Sequence, residues 1–109
     1  MNERRRYPRI RFGFKVEDAS GKREWMTDDI SSGGCFLQAL EKISPGTKMS
    51  LVFQLPGSFK YIEAVGEVKH LKEEGMGIKF VAMDNKGEEE TRKFVEDYIS
   101  IQEKEKKNY

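Results

Sequence analysis

REWMTDDISSGGCFLQ, residues 23–38, is the stretch on which the fold turns. Residues 23–30 read as a strand. Ser31-Ser32-Gly33-Gly34 breaks it, because glycine permits backbone geometry closed to other residues. Residues 35–38 then read as a second, short strand. Strands of this length, separated by glycine-rich breaks, are the building units of a small all-β domain.

The flanking sequence repeats the pattern. Upstream, Ile10, Phe12, Phe14 and Val16 alternate with Arg11, Gly13, Lys15 and Glu17. Period two marks a half-buried strand. Ala19-Ser20-Gly21-Lys22 follows as a turn. Downstream, Ser44-Pro45-Gly46-Thr47 is a turn signal, and Met49, Leu51, Phe53 and Leu55 alternate until Pro56-Gly57 stops them. A longer strand is expected over residues 59–70, with Ile62, Ala64 and Val68 on one face. Met76, Ile78, Phe80 and Ala82 form the last alternating set.

After residue 84 the period changes. Phe94, Val95, Tyr98 and Ile99 fall at helical spacing. Asn85 is the expected N-cap, with Glu88 three residues on as in a capping box. Glu88, Glu89 and Glu90 suit the first turn of the helix dipole. Six short strands and one helix give a mostly β fold: a six-stranded antiparallel barrel with a C-terminal α-helix over one opening or face. Closure removes the edge strands that would otherwise aggregate. The expected organisation is a basic arm over 1–9, the barrel and helix over 10–102, and a frayed tail over 103–109.

Composition narrows the function. The 109 residues suit one domain, with 37% hydrophobic and 36% charged residues and a net charge of +1 that by itself implies no partner. The distribution says more. Arg4, Arg5, Arg6, Arg9 and Arg11 crowd the first eleven residues. Guanidinium groups grip phosphates and base edges bidentately, so this arm is a place for an anion. Three like charges in a row repel, and the arm is expected to become ordered when an anion neutralises it. Cys35 is the sole cysteine, which fits a reducing, cytoplasmic setting and a small buried thiol. No apolar run reaches the ~20 residues of a membrane helix, so no membrane insertion is expected. His70 is the sole histidine. A Ser-His-Asp triad would have to be built around it, Cys35 and His70 alone cannot make a zinc site, and no P-loop spacing is present. The expectation is a binding protein, with no catalytic residues, no metal and no cofactor. Asp28-Asp29 is not expected to act as a carboxylate pair, because adjacent strand residues point to opposite faces.

Two short segments stand out together. Arg5-Arg6-Tyr7-Pro8-Arg9 gives Arg-x-x-x-Arg just before the first strand, and Asp29-Ile30-Ser31-Ser32-Gly33-Gly34 gives Asp-x-Ser-x-x-Gly at the end of the second. In this order, with Pro45-Gly46, Leu55-Pro56-Gly57, Gly66-Glu67-Val68 and Gly77-Ile78-Lys79-Phe80 behind them, they resemble the PilZ domain family. The resemblance covers residues 4–99. It implies a barrel that binds cyclic di-GMP on its outer surface, with Arg5 and Arg9 as the first motif, Asp29, Ser31 and Gly34 as the second, and Arg4 and Arg6 assisting. Many members place an aromatic after the fifth strand where this chain has His70, whose ring could stack on a guanine.

The chemistry agrees with that assignment. An arginine fork matches the O6 and N7 acceptors of guanine, and a carboxylate accepts from the N–H groups of its other edge. Ser31 offers a short hydroxyl, and Gly34 lets backbone approach a ligand. The function expected is a cyclic di-GMP receptor that relays the signal to a downstream protein. The alternatives are a PilZ-like adaptor that binds no nucleotide and a small nucleic-acid-binding barrel. The last is weakened by the acidic stretch over residues 84–97, since phosphate contacts drive such binding.

Overall fold

Val16, Ile30, Leu37, Leu51, Val68 and Met76 are fully buried, and each comes from a different strand. The computed structural model describes residues 8–107. Its elements are β1 (Lys15–Asp18), β2 (Glu24–Ser31), β3 (Gly34–Gln38), β4 (Lys48–Phe53), β5 (Ile62–Lys72), β6 (Gly75–Met83) and α1 (Asn85–Lys107). The strands close into a barrel in the order β1-β2-β3-β6-β5-β4, every pairing antiparallel. This is the mostly β, six-stranded barrel with a C-terminal helix that the alternating pattern led us to expect.

The first strand is shorter than its alternation implied. Residues 10–14 do not form a continuous ladder. Ile10 makes an isolated two-bond bridge with Ile30. Between that bridge and β1 the Thr27 hydroxyl takes over as partner, donating to the Phe12 carbonyl at 2.6 Å and accepting from the Phe14 N–H at 3.0 Å. A threonine side chain inserted into the ladder in this way displaces regular strand pairing. β5 likewise begins at Ile62 rather than at residue 59. The Ser58 hydroxyl accepts the Lys60 N–H at 3.1 Å, and Gly57 sits at φ +84°, so the backbone turns before it can extend.

The helix buries Thr91 and Val95 and lays Phe94, Tyr98 and Ile99 against the core. Phe12 meets both Phe94 and Tyr98 edge-on, each at 5.5 Å between ring centres. The N-cap is Asp84, not Asn85. Its Oδ1 accepts the Gly87 N–H at 2.7 Å, three residues along, as a capping carboxylate should. The helix runs on to Lys107, past residue 102 where regular structure was expected to end. No helix among the described residues is long and apolar enough to cross a membrane. Asp84→Ala should lower stability by about 1 kcal/mol, read as a shifted midpoint in chemical denaturation, whereas Asn85→Ala should leave it nearly unchanged.

Candidate functional site

The candidate site starts from an irregularity in β2. Pairing with β3 runs Thr27↔Leu37 and then Asp29↔Phe36, so one extra residue is accommodated between Thr27 and Asp29. Such a bulge shifts side chains out of strict alternation. Trp25, Thr27 and Ile30 are buried, while Asp28 and Asp29 both stay half-buried. The two aspartates therefore do not lie on opposite faces, contrary to the strand rule. Each receives an arginine from the N-terminal cluster: Arg9 Nη1 lies 2.5 Å from Asp29 Oδ1, and Arg11 Nη2 lies 3.7 Å from Asp28 Oδ1. One residue from each of the two motifs thus meets in a single ion pair at the barrel surface.

Ser31 and Gly34 are held differently from what was expected. Ser31 is only 2% exposed. Its hydroxyl donates to the Gly34 carbonyl at 3.3 Å and accepts the Gly33 N–H at 3.1 Å, so it staples the β2–β3 turn. Gly34 faces strand β6. A Cβ there would run into the backbone carbonyl of Ile78, so the glycine is needed for β3 to approach β6. Both residues shape the turn below the Arg9–Asp29 pair. Arg4, Arg5 and Arg6 lie outside the described residues.

A cross-strand row leads away from Asp29. Asp29 on β2 pairs with Phe36 on β3, Phe36 with Gly77 on β6, and Gly77 with His70 on β5. Three strand steps make this row about 14 Å long. Phe36 lies between the core residues Cys35 and Leu37 on β3, so its ring leaves the barrel on the outer side, where it is only 8% exposed and packs beside Gly75, His70 and Lys72. Gly77 contributes no side chain, and the His70 imidazole lies over it; a Cβ at Gly77 would strike that ring. The His70 and Phe36 rings are 6.5 Å apart and inclined by 32°, and the Lys72 ammonium sits 5.8 Å from the centre of the Phe36 ring. The result is a shelf whose exposed ring is His70, with the Phe36 ring beside it largely covered, Lys72 next to both, and an arginine–aspartate pair at the other end of the row.

Of the expected site residues, Arg9, Asp29 and His70 fall along this row. Phe36, Gly77 and Lys72 were not expected as site residues, because their part in the face depends on the register of β3 against the β5–β6 hairpin, which is distant from it in the chain. Cys35, beneath the row, is fully buried, and burial together with the negative charge of Asp29 pushes its thiol up to about 12. It is a packing residue and not a nucleophile.

The family model for the PilZ domain matches residues 3–97. The chain belongs to the PilZ domain family. That match spans both motifs, the barrel and the first half of α1 in this PilZ domain. Its fold is similar to the solved structure of Bacillus subtilis inhibitor of motility (MotI/DgrA), with a TM-score of 0.78 and 18% identity, covering 89% of this chain and 52% of that one. The PilZ domain described here thus spans about half the length of that structure, and the likeness is one of fold. No curated protein matches the chain.

Proposed function

We propose that this PilZ domain binds cyclic di-GMP on the row from Arg9 and Asp29 to His70, and relays the signal to a protein partner. The observation that carries the reading is the joining of the two motifs: Arg9 and Asp29 meet at one end of a shelf built from Phe36, Gly77 and His70. Arg9 uses Nη1 on Asp29 Oδ1, and its guanidinium keeps further N–H donors for a phosphate or for guanine O6 and N7. The second oxygen of Asp29 can accept from the guanine N1–H and N2–H groups. The exposed His70 imidazole offers a ring on which a base can stack, Phe36 backs it, and Lys72 adds positive charge beside it. Arg4, Arg5 and Arg6 would complete the phosphate contacts from the arm.

The competing reading is an adaptor that binds no nucleotide. It draws on the internal roles of Ser31 and Gly34, which serve the turn and the β3–β6 contact. A displacement assay separates the two. Labelled cyclic di-GMP bound to the domain should be displaced by unlabelled cyclic di-GMP and not by equal concentrations of GMP or GTP, which lack the second guanine–phosphate half. Failure of the labelled nucleotide to bind would favour the adaptor, and equal displacement by GTP would rule out a cyclic dinucleotide site.

A further inference from the structure

Two aromatic side chains stand in solvent on a loop that is otherwise fastened down. Phe59 is 95% exposed and Tyr61 69% exposed. The loop that carries them is not loose. The Ser58 N–H donates to the Leu55 carbonyl at 3.0 Å, Gln54 Nε2 donates to the Ser58 carbonyl at 2.7 Å, and the Ser58 hydroxyl accepts from Lys60. Lys60 reaches the helix and pairs with Glu90 at 3.9 Å. A fixed loop that presents aromatics to water is the signature of an interaction surface, where tyrosine and phenylalanine supply large contact area at low entropic cost.

The surface continues onto the barrel. Tyr61 lies within electrostatic reach of Lys15, and Lys15 pairs across the strands with Met26, itself 47% exposed. Beside them Glu17 and Glu24 sit directly opposite one another on β1 and β2. Like charges in that position destabilise a sheet, and Lys15, 3.2 Å from Glu17, is the cation between them. Both lysines of the patch are thus already engaged by carboxylates, Lys15 with Glu17 and Lys60 with Glu90, and Glu63 adds a further exposed carboxylate next to the loop. The surplus charge is negative. A lipid headgroup layer would suit exposed aromatics and a lysine, but anionic headgroups would be repelled by this rim. A partner bearing cations satisfies both features, since guanidinium and ammonium groups pair with the carboxylates and stack on aromatic faces.

We propose that this aromatic, acid-rimmed face docks a protein partner through a segment that carries arginine or lysine beside apolar side chains. In the closed order of strands, β1 and β4 lie across the barrel from β3 and β6. The Phe59–Tyr61 loop and Lys15 therefore lie away from the shelf at Phe36 and Gly77, so ligand and partner can be held together, and Met26, on β2 opposite Gln38 of β3, marks the edge of the docking face nearest the shelf.

The test is a nuclear magnetic resonance titration of the full chain without nucleotide. The probe is a synthetic dodecapeptide of arginine, leucine and glycine; its control carries glutamate in place of every arginine. The expected result is a saturable shift of the Met26 methyl and the Phe59 and Tyr61 ring signals, with Phe36 and His70 unmoved. The glutamate peptide should bind about tenfold more weakly or worse, as expected for the loss of several exposed ion pairs. The variant with both Phe59→Ser and Tyr61→Ser should keep its unfolding midpoint, since both rings are exposed, and should lose the response. Equal binding of the two peptides, or no saturable shift at millimolar peptide, would overturn the proposal. So would self-association of the chain through these residues in sedimentation, or their insertion into phosphatidylserine vesicles, each of which would assign the face to another occupant. None of these outcomes bears on whether the opposite face binds cyclic di-GMP.

Discussion

Arg9→Ala should weaken cyclic di-GMP binding by about ten- to a hundredfold, the cost of one charge-assisted hydrogen-bonding group. Arg9 enters from the arm and meets the barrel at Asp29, so on the proposed reading its loss removes a contact to the nucleotide as well as the group that orients the Asp29 carboxylate. The fold should tolerate the change. The Arg9 and Asp29 side chains keep 30% and 26% of their surface exposed, so the orphaned carboxylate remains hydrated and the pair contributes modestly to stability. Calorimetric titration and chemical denaturation of the same variant separate the two effects. A large fall in the unfolding midpoint with binding intact would make Arg9 a structural clamp on the arm and remove it from the site.

Gly34→Ala should behave in the opposite way, with damage to the fold that precedes any effect on the ligand. Its Cβ would press against the Ile78 carbonyl, and backbone cannot step aside without opening the β3–β6 pairing. The expected loss is about 1–3 kcal/mol, the range for overpacking a filled site. Gly77→Ala makes a useful contrast. There the obstruction is the His70 imidazole, a side chain that can rotate away. That variant should stay folded and lose affinity, because the shelf loses its histidine. If Gly34→Ala unfolded at the wild-type midpoint and simply failed to bind, the glycine would belong to the ligand contact after all.

Much of the barrel was legible because inward residues recur at period two, and Leu51, Phe53 and Ile62, Ala64 follow that rule strictly. The exceptions have local causes that a pattern of apolar residues does not carry. Thr27 reads as one more alternating position, yet its hydroxyl replaces ladder hydrogen bonds at Phe12 and Phe14. The bulge left a trace in the sequence: buried residues step by two from Trp25 to Thr27 and then by three to Ile30. That step brings Asp28 and Asp29 within reach of two arginines. At the helix start, Asn85 and Asp84 are both good caps by type, and only the bond to Gly87 distinguishes them. Phe36 was legible as a strand residue but not as part of a shelf, because its neighbours Gly77 and His70 come from strands that begin decades of residues later.

The most direct measurement is a chemical-shift map of the domain titrated with cyclic di-GMP. Binding on the proposed row should give saturable changes concentrated at Arg9, Asp29, Phe36, Gly77 and His70, with Phe59 and Tyr61 unmoved. A saturable map centred on any other face, or no change at saturating nucleotide, would contradict it.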